Sequence, residues 1–269
     1  MRLALPASLL ALFAFVTGCG VQTYEPLDPP PAPEPTPLPA PAPTSPPKTT
    51  PAPTPAPQAA GPHDEVVHVY MRAHDFSQWY CTGTLVSPTV VVTAAHCLDT
   101  SKFISYEIVA PGAPGSPRVA ASDPRVFGGT FEDVANADMG IVTLVRPITL
   151  AAYAQLTDVV SAVESGGVDA AAVVRVEQKH TAPFGPTDPM PVSSAVPIGY
   201  EHGFSTPMFS KGGDSGAGLF LVENGKRTHK LIGVGRNPEP EREIDHFSRV
   251  DADFLAWFRQ QVGAADLAP

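Results

Sequence analysis

Two short motifs contain residue types that can cooperate in nucleophilic catalysis. His96 lies in the sequence TAAHC (93–97), and 119 residues later Ser215 lies in GDSG (213–216). A serine hydroxyl is a poor nucleophile at neutral pH, so a base must take its proton as it attacks a carbonyl carbon. An imidazole, with an ordinary pKa of about 6.5, can take that proton and later return it to a leaving group. The two motifs therefore indicate acyl-transfer chemistry, provided that folding brings them together.

The sequence around these motifs resembles the trypsin-like serine proteases, which have the chymotrypsin fold. CTGTLV (81–86) is similar to the family's cysteine-containing strand before the histidine, and ADMGI (137–141) is similar to its aspartate-containing strand. Residues 247–258 resemble the family's closing strand and helix. The resemblance covers most of residues 63–262 and is weak over 110–135 and 150–205.

The resemblance implies a catalytic triad and assigns its roles. Ser215 is the implied nucleophile, His96 the base, and Asp138 the carboxylate that orients and stabilises the imidazole. Asp123 and Asp133 lie nearby in the sequence, but only Asp138 directly precedes an apolar strand. The implied reaction is hydrolysis of protein or peptide substrates by a serine endopeptidase through an acyl-enzyme intermediate. No metal and no organic cofactor are implied.

Two further features of the site follow from the same resemblance. The backbone N–H groups of Gly213 and Ser215 are the implied oxyanion hole, which stabilises charge that develops in the transition state. Cys81 and Cys97 correspond to the family's bridging pair beside the histidine, and a disulfide there would restrain the His96 loop. Free buried thiols are the alternative, which export to an oxidising compartment disfavours.

The beginning of the domain departs from the family. Most members begin with Ile-Val-Gly-Gly, whose freed amine pairs with the aspartate before the serine, whereas this chain has PHDEV (62–66). Asp214 therefore needs another partner, and zymogen-style activation is not expected. The departure motivates an alternative, a catalytically inactive homologue that acts as a surface binding module. A cell-surface adhesion or structural module is a third class, but it explains neither motif.

The residues predicted to contact the substrate are Phe209, Ser210 and Arg236. Phe209 lies six residues before Ser215, where the family has the base of its primary specificity pocket. Trypsin itself has an aspartate there, so a preference for Lys or Arg is not expected. The phenyl ring could fill the pocket and favour small side chains, or it could swing out, and Arg236 could instead attract an acidic residue. A preference for small or apolar residues ranks first.

The elements that must position these residues are mostly strands. Short β-branched runs separated by Pro, Gly and Ser predict eight of them, and apolar residues at helical spacing after Asp251 predict a C-terminal helix. Together with the resemblance, this predicts an all-β fold of two antiparallel six-stranded β-barrels with a C-terminal helix. The predicted strands are Val66–Met71, Tyr80–Val86, Val90–Thr93, Phe103–Val109, Ile141–Leu144, Ala170–Gln178, Gly218–Val222 and Leu231–Val234.

Residues 1–18 have the features of a secretory signal. A basic residue precedes an apolar run, Leu3–Val16, that is too short to cross about 30 Å of hydrocarbon as a helix. VTGC (16–19) resembles the lipobox of bacterial lipoproteins, which implies acylation of Cys19; an ordinary signal with an incidental cysteine is the alternative. Since the chain has three cysteines, a lipid on Cys19 leaves the other two as a pair. Gly20 rather than aspartate follows, which favours the outer membrane of a bacterial cell envelope, with secretion as the alternative.

The composition separates a linker from one folded domain. Seventeen of the 33 prolines fall between Pro26 and Pro62, which predicts a disordered, extended linker over 19–62. We expect it to act as a stalk; a docking site for a Pro-binding module is the alternative. Residues 63–269 form the predicted protease domain, with 24 acidic and 15 basic side chains and a formal net charge of −9. That charge argues against nucleic-acid binding. We expect a monomer that meets the lipid membrane through acylated Cys19.

Overall fold

The computed structural model describes residues 63–128, 137–177 and 179–263. The predicted signal peptide (1–18), Cys19 and the linker (19–62) lie outside these residues. So do Asp133 and Gln178, the last residue of one predicted strand. Within the described ranges, no helix has both the length and the apolar character needed to cross a membrane.

Six antiparallel strands close into a barrel in the first half of the domain. They are β1 (Val66–Ala73), β2 (Gln78–Leu85), β3 (Val90–Thr93), β4 (Phe103–Val109), β5 (Arg118–Phe127) and β6 (Met139–Leu144). Around the barrel they follow the order β1-β2-β3-β6-β5-β4. Val67, Val69 and Met71 of β1 face one shared apolar core, because every second residue of a strand points to the same side.

The second half is a nine-stranded sheet. Its elements are β7 (Gln155–Leu156), α1 (Val160–Ser165), β8 (Asp169–Arg175), β9 (Phe184–Pro186), β10 (Met190–Pro191), β11 (Ser193–Ser194), β12 (Gly203–Pro207), β13 (Gly218–Glu223), β14 (Lys226–Glu239) and β15 (Ile244–Arg249). The paired path runs β10-β8-β13-β14-β15-β12-β11, with β7 on β14 and β9 on β8. The prediction of an all-β, trypsin-like fold is confirmed. In detail this half is an open path rather than a closed six-stranded barrel, because its two end strands are only two residues long and Pro191 lacks an N–H donor.

The predicted C-terminal helix is also confirmed. α2 (Ala252–Gln261) begins after Asp251, whose Oδ1 accepts a hydrogen bond from the N–H of Phe254 at 2.9 Å. Such a cap satisfies one of the backbone donors that the first turn leaves without a partner. The rings of Phe254 and Phe258 are buried against apolar side chains of β3 and β6. This helix, the last one in the described residues, therefore packs on the first barrel.

Of the strands with five or more residues, the apolar pattern does not predict β5, β12 and β15. The predicted boundaries of β3 and β4 are identical to the observed ones, and the other predicted strands overlap observed strands. β12 was missed, and β15 was expected only through the resemblance over residues 247–258. Ser205, Asp245, His246 and Ser248 are all buried in these strands, which breaks the alternation of apolar and polar residues. β5 was missed because a bulge after Ser122 shifts its register.

Candidate active site

His96 and Asp138 are in direct contact, although 42 residues separate them. β3 and β6 are antiparallel neighbours with Thr93 opposite Gly140, so the residues after β3 lie beside the residue before β6. A short 3₁₀ helix, Ala95–Leu98, carries the histidine there. Its Nδ1 lies 2.7 Å from Oδ2 of Asp138, and its backbone N–H donates to Oδ1 at 2.9 Å. With the proton on Nδ1, the ring presents Nε2 as an acceptor.

The carboxylate of Asp138 is buried and well partnered. Its residue is 1% exposed, and its backbone N–H donates to Oγ of Ser248 at 3.0 Å. Nε of Arg236 lies 3.9 Å from the same Oδ2 that contacts His96. A buried charge is costly unless it is paired, and these two cationic or ionisable groups supply the pairing. The alternative, Asp123, has a side chain that is 54% exposed.

Cys81 and Cys97 form a disulfide that joins β2 to the 3₁₀ helix, with their Cα atoms 6.4 Å apart. It restrains the segment that carries His96, as the resemblance implied. The two sulfurs and a ring nitrogen of His96 lie within 4.8 Å of one another. Because a thiolate is the form of cysteine that binds metals, sulfurs joined in a disulfide do not make this trio a metal site.

The loop that carries Ser215 packs against β2 of the first barrel. The N–H of Thr82 donates to the carbonyl of Ser215 at 2.8 Å, and Oγ1 of Thr82 donates to the carbonyl of Gly213 at 3.1 Å. Gly216 has a φ of +84°, and a Cβ there would collide with the carbonyl oxygen of Thr82 and with Oγ1 of Thr93. Glycine alone permits this conformation at so close an approach. The barrel that holds His96 therefore also anchors the serine loop.

Ser215 lies where two cavities meet. The first, which we call the large groove, has a volume of about 660 Å³, and His96, Gly213 and Ser215 lie on its wall. The second, the small pocket, has a volume of about 180 Å³ and shares Ser215. The backbone N–H groups of Gly213 and Ser215 have no protein acceptor within the described part of the chain. The predicted base, nucleophile and oxyanion donors therefore border one space.

Asp214, whose partner the sequence left open, pairs with Arg175 at the end of β8. Nε of Arg175 lies 3.6 Å from Oδ1 of Asp214, and the two side chains are only 2% and 5% exposed. Nη2 of the same guanidinium donates to the carbonyl of Gly212 at 2.5 Å. Burial raises the pKa of Asp214, while the N–H of Lys211 and the charge of Arg175 act in the opposite direction. One arginine thus contacts both residues that flank the predicted oxyanion glycine.

The described segment before β1 makes ion pairs with β14 and not with Asp214. Glu65 is fully buried, and its Oε1 lies 2.7 Å from Nη1 of Arg227 and 3.1 Å from Nδ1 of His229.

Sequence reasoning did not identify Arg175 as the partner of Asp214. A signal was present, since a single arginine ends the otherwise apolar run AAAVV (170–174) and a charge inside a buried strand requires a counter-ion.

The small pocket contains all three residues that the sequence predicted to contact substrate: Phe209, Ser210 and Arg236. The ring of Phe209 packs against that of Phe247, with centroids 6.1 Å apart and an angle of 30° between the ring planes. Sequence reasoning missed Asp245, which is 1% exposed. Its carboxylate accepts hydrogen bonds from the N–H groups of Phe209 and Ser210, at 2.7 and 2.8 Å, and from Oγ of Ser210 at 2.5 Å. Asp245 therefore holds the pocket wall in place.

Arg236 connects the small pocket to the predicted triad. Its carbonyl accepts a long hydrogen bond, 3.4 Å, from Oγ of Ser215. Its guanidinium carbon lies 5.0 Å from the ring centroid of Tyr200, and its Nε is the group near Asp138. The side chain is only 13% exposed. A substrate carboxylate at this arginine would therefore compete with Asp138.

Comparison with known proteins agrees with this fold. Residues 55–170 match the family described as Trypsin. HL collagenase superposes with a TM-score of 0.61 at 16% identity, over 76% of this chain and 96% of that chain. A Glu endopeptidase gives 0.59 at 13% identity, over 75% and 92%. An inactivated protease paralogue of the scabies mite gives 0.56 at 18% identity, over 76% and 98%. The chain has the trypsin-like serine protease fold, and its residues 55–170 match the trypsin family.

Proposed function

We propose that this protein is a serine endopeptidase that hydrolyses peptide bonds in protein or peptide substrates. The observation that carries the proposal is the 2.7 Å contact between Nδ1 of His96 and Oδ2 of Asp138, on the wall of the groove that also contains Ser215. A carboxylate at Nδ1 favours the tautomer whose Nε2 accepts a proton, and it stabilises the imidazolium that forms.

In the first half of the reaction, Nε2 of His96 takes the proton of Ser215 as Oγ attacks the scissile carbonyl carbon. The carbonyl oxygen gains negative charge, which the N–H groups of Gly213 and Ser215 stabilise. The imidazolium then returns its proton to the amide nitrogen, the C–N bond breaks, and the amine leaves. The product of this half is an ester between Ser215 and the acyl part of the substrate.

In the second half, water takes the place of the departed amine. Nε2 of His96 accepts a proton from the water as its oxygen attacks the ester carbonyl, and the same two N–H groups stabilise the oxyanion. Collapse of this intermediate breaks the bond to Oγ, and His96 returns the proton to Ser215. The carboxylic acid product leaves and the enzyme is restored, so no outside reactant other than water is needed.

Arg175 supplies the support that the oxyanion loop needs in a chain without the family's usual amino terminus. Its guanidinium contacts Asp214 and the carbonyl of Gly212, the residues on either side of Gly213. A charge-assisted hydrogen bond is stronger than a neutral one, and burial reduces its screening by solvent. We therefore propose that the loop is ordered as soon as the domain folds, without proteolytic activation.

The small pocket favours a small or apolar residue before the scissile bond. Its volume of about 180 Å³ is below the range of roughly 300–1,000 Å³ that is usual for ligand pockets. The Phe209 ring lies on its wall. The carboxylate of Asp245 already accepts three hydrogen bonds, so it does not attract a basic side chain as an unpaired carboxylate would.

One observation favours the inactive alternative, a homologue that uses its cleft only for binding. The acceptor of the Ser215 hydroxyl is the carbonyl of Arg236, at 3.4 Å, rather than His96. In addition, one solved relative of this fold is named an inactivated protease paralogue. Rotation about the Cα–Cβ bond of Ser215 turns the hydroxyl without moving the backbone, and catalytic hydrogen bonds often tighten only when substrate binds. We therefore favour the enzyme.

Labelling with a fluorophosphonate probe distinguishes the two functions. We expect covalent capture of the wild-type protein, and loss of capture in the Ser215→Ala and His96→Ala variants. The exposed Ser161 makes a matched control, since Ser161→Ala should be captured like wild type. Absence of capture by wild-type protein with an intact thermal transition would refute the endopeptidase and favour the binding module.

We also propose that the domain is tethered to a bacterial cell envelope, in the outer membrane, by lipid on Cys19. The support is the lipobox-like VTGC (16–19) followed by a Pro-rich stretch that can act as a spacer. Several acyl chains on one residue give a stable anchor, at about 0.8 kcal/mol for each buried methylene. Growth with an alkyne-bearing fatty acid should label the full chain but not Cys19→Ser. Equal labelling of both would exclude acylation at this residue.

A further inference from the structure

We propose that the large groove recognises a large apolar residue on the leaving-group side of the scissile bond. This inference rests on the proposed endopeptidase function and specifies its substrates. Ser215 lies on the walls of both cavities, so a peptide whose carbonyl carbon meets Oγ extends one flank into each. His96 lies on the wall of the large groove only. Because His96 must protonate the departing amine, the chain that begins with that amine runs along the large groove.

The lining of the large groove is mainly apolar. Its largest apolar side chains are Met71 and Trp79 on the two strands of one hairpin, Tyr80 beside Trp79, and Phe103 at the start of β4. Trp79 is 58% exposed, which is unusual for so large an apolar residue. The centroid of its ring system lies 6.4 Å from the ring centroid of Phe103. Tryptophan residues with exposed faces dominate many recognition surfaces because they bury a large area on contact.

The hairpin between β1 and β2 holds Trp79 before any substrate binds. Oδ1 of Asp75 accepts hydrogen bonds from the N–H and the Oγ of Ser77, at 2.9 and 2.6 Å. The indole N–H of Trp79 in turn donates to Oγ of Ser77 at 3.1 Å. These bonds fix the indole and satisfy its one polar group, so what it offers to a ligand is its apolar ring. A surface that is ordered in advance loses less entropy when it binds.

The charged side chains that line the groove, Asp75 and Lys102, have opposite signs, so together they add no formal net charge to its wall. The groove has about 660 Å³ of space, within the range usual for ligand sites, whereas the small pocket has about 180 Å³. The larger contact area therefore lies after the scissile bond, and leucine or phenylalanine in one of the first two positions there is the expected occupant.

A peptide series with a constant acyl side tests this inference. The first and second residues after the scissile bond are varied among Gly, Leu, Phe, Glu and Lys, and kcat/KM is measured for each peptide. We expect the wild-type protein to prefer Leu or Phe over Gly by about tenfold or more, and Trp79→Ala to lose most of that preference. Val145→Ala is the matched control, because Val145 is 64% exposed and does not line the groove, and it should keep the wild-type ratio.

Two further measurements separate failure of this inference from failure of the proposed function. Hydrolysis of a nitrophenyl ester of the same acyl group reports the acyl-enzyme chemistry without a peptide leaving group. Rapid ester hydrolysis with equal rates across the peptide series would overturn the inference and leave the endopeptidase intact.

Binding of the same peptides to Ser215→Ala, measured by calorimetry, gives a readout that needs no turnover. An apolar preference that Trp79→Ala removes supports the groove, and equal affinities overturn it. A concentration-dependent dimer that Trp79→Ala dissociates would assign the groove to a second copy and also overturn the inference.

Discussion

The guanidinium of Arg175 lies against the carboxylate of Asp214, with Nε 3.6 Å from Oδ1, and both side chains are almost completely buried. The same arginine stacks over the ring of Tyr80, with its Cζ 4.7 Å from the centroid, and donates to the carbonyl of Gly212. The cation comes from a strand of the domain itself, so it is present in every folded molecule. It links the loop of the predicted nucleophile to the body of the fold.

Replacement of Arg175 by Met should disorder the oxyanion loop. Methionine fills a similar volume but leaves Asp214 buried without its cation and the Gly212 carbonyl without its donor. Loss of one oxyanion donor lowers kcat by about 10²–10³-fold in other enzymes, and we expect a reduction of that order in kcat/KM for a peptide substrate. Arg146→Met is the control, since Arg146 is exposed and lines neither the large groove nor the small pocket. Full activity in a well-folded Arg175→Met would show that the loop does not depend on this ion pair.

Replacement of Asp138 by Asn should abolish most of the activity while the fold is retained. Asparagine keeps the size of the side chain, but its amide cannot stabilise the imidazolium, and it favours the wrong tautomer of His96. The expected loss in kcat is about 10⁴-fold, with little change in KM. Steady-state kinetics and a thermal transition check this, with Asp123→Asn as the control for an exposed aspartate of the same barrel. A loss smaller than about tenfold would exclude Asp138 as the orienting carboxylate.

Gly216→Ala should lower the free energy of unfolding by more than the positive φ of Gly216 alone requires. Gly216 has a φ of +84°, and Gly166 has a similar φ of +79° with no atom within 4 Å of an added Cβ. Because Gly166 has a ψ of 160°, Gly166→Ala measures the cost of a positive φ without a collision, about 1–3 kcal/mol. In Gly216→Ala the backbone of Thr82 must also move, so we expect a larger loss of unfolding free energy and a loss of activity. Equal destabilisation of the two variants would mean that the close approach of the serine loop to β2 carries no cost.

The buried histidine His68 should make the domain sensitive to mild acid. His68 is 3% exposed, and burial, aided by the charges of Arg175 and His180, lowers its pKa from 6.5 to about 4. Between pH 6.5 and 4 the unfolded chain binds a proton that the folded chain does not, so stability is lost as the pH falls through that window. The loss reaches up to about 3 kcal/mol below pH 4.

His68→Phe keeps a ring beside Phe184 and removes the titration. Urea unfolding between pH 4 and 7 should therefore give a flatter profile for this variant than for wild type. His74→Gln replaces an exposed histidine and should keep the wild-type profile. If His68→Phe lost stability with acid as steeply as wild type does, the acid sensitivity would have to come from other groups.

Much of the fold could be predicted from local patterns, and the reason is physical. β3 is a continuous β-branched run because both of its sides are buried, whereas buried and exposed residues are interspersed along β4 because only one side faces the barrel core. The capping aspartate and apolar face of α2 are likewise local features. β12 and β15 could not be recognised in this way, because their inward positions carry polar residues that find partners only in the folded domain.

The sequence by itself determined the class of the fold and the residues able to do chemistry. His96, Asp138 and Ser215 stand in short motifs, and a motif can be recognised from the order of its residues along the chain without any knowledge of the fold. Only the tertiary structure decided what surrounds them. Arg175 meets the carbonyl of Gly212 across 37 residues, and Asp245 meets Ser210 across 35. No local pattern predicts such pairings, because a buried charge is stabilised by whichever opposite charge or donor the packing of the sheets brings within reach.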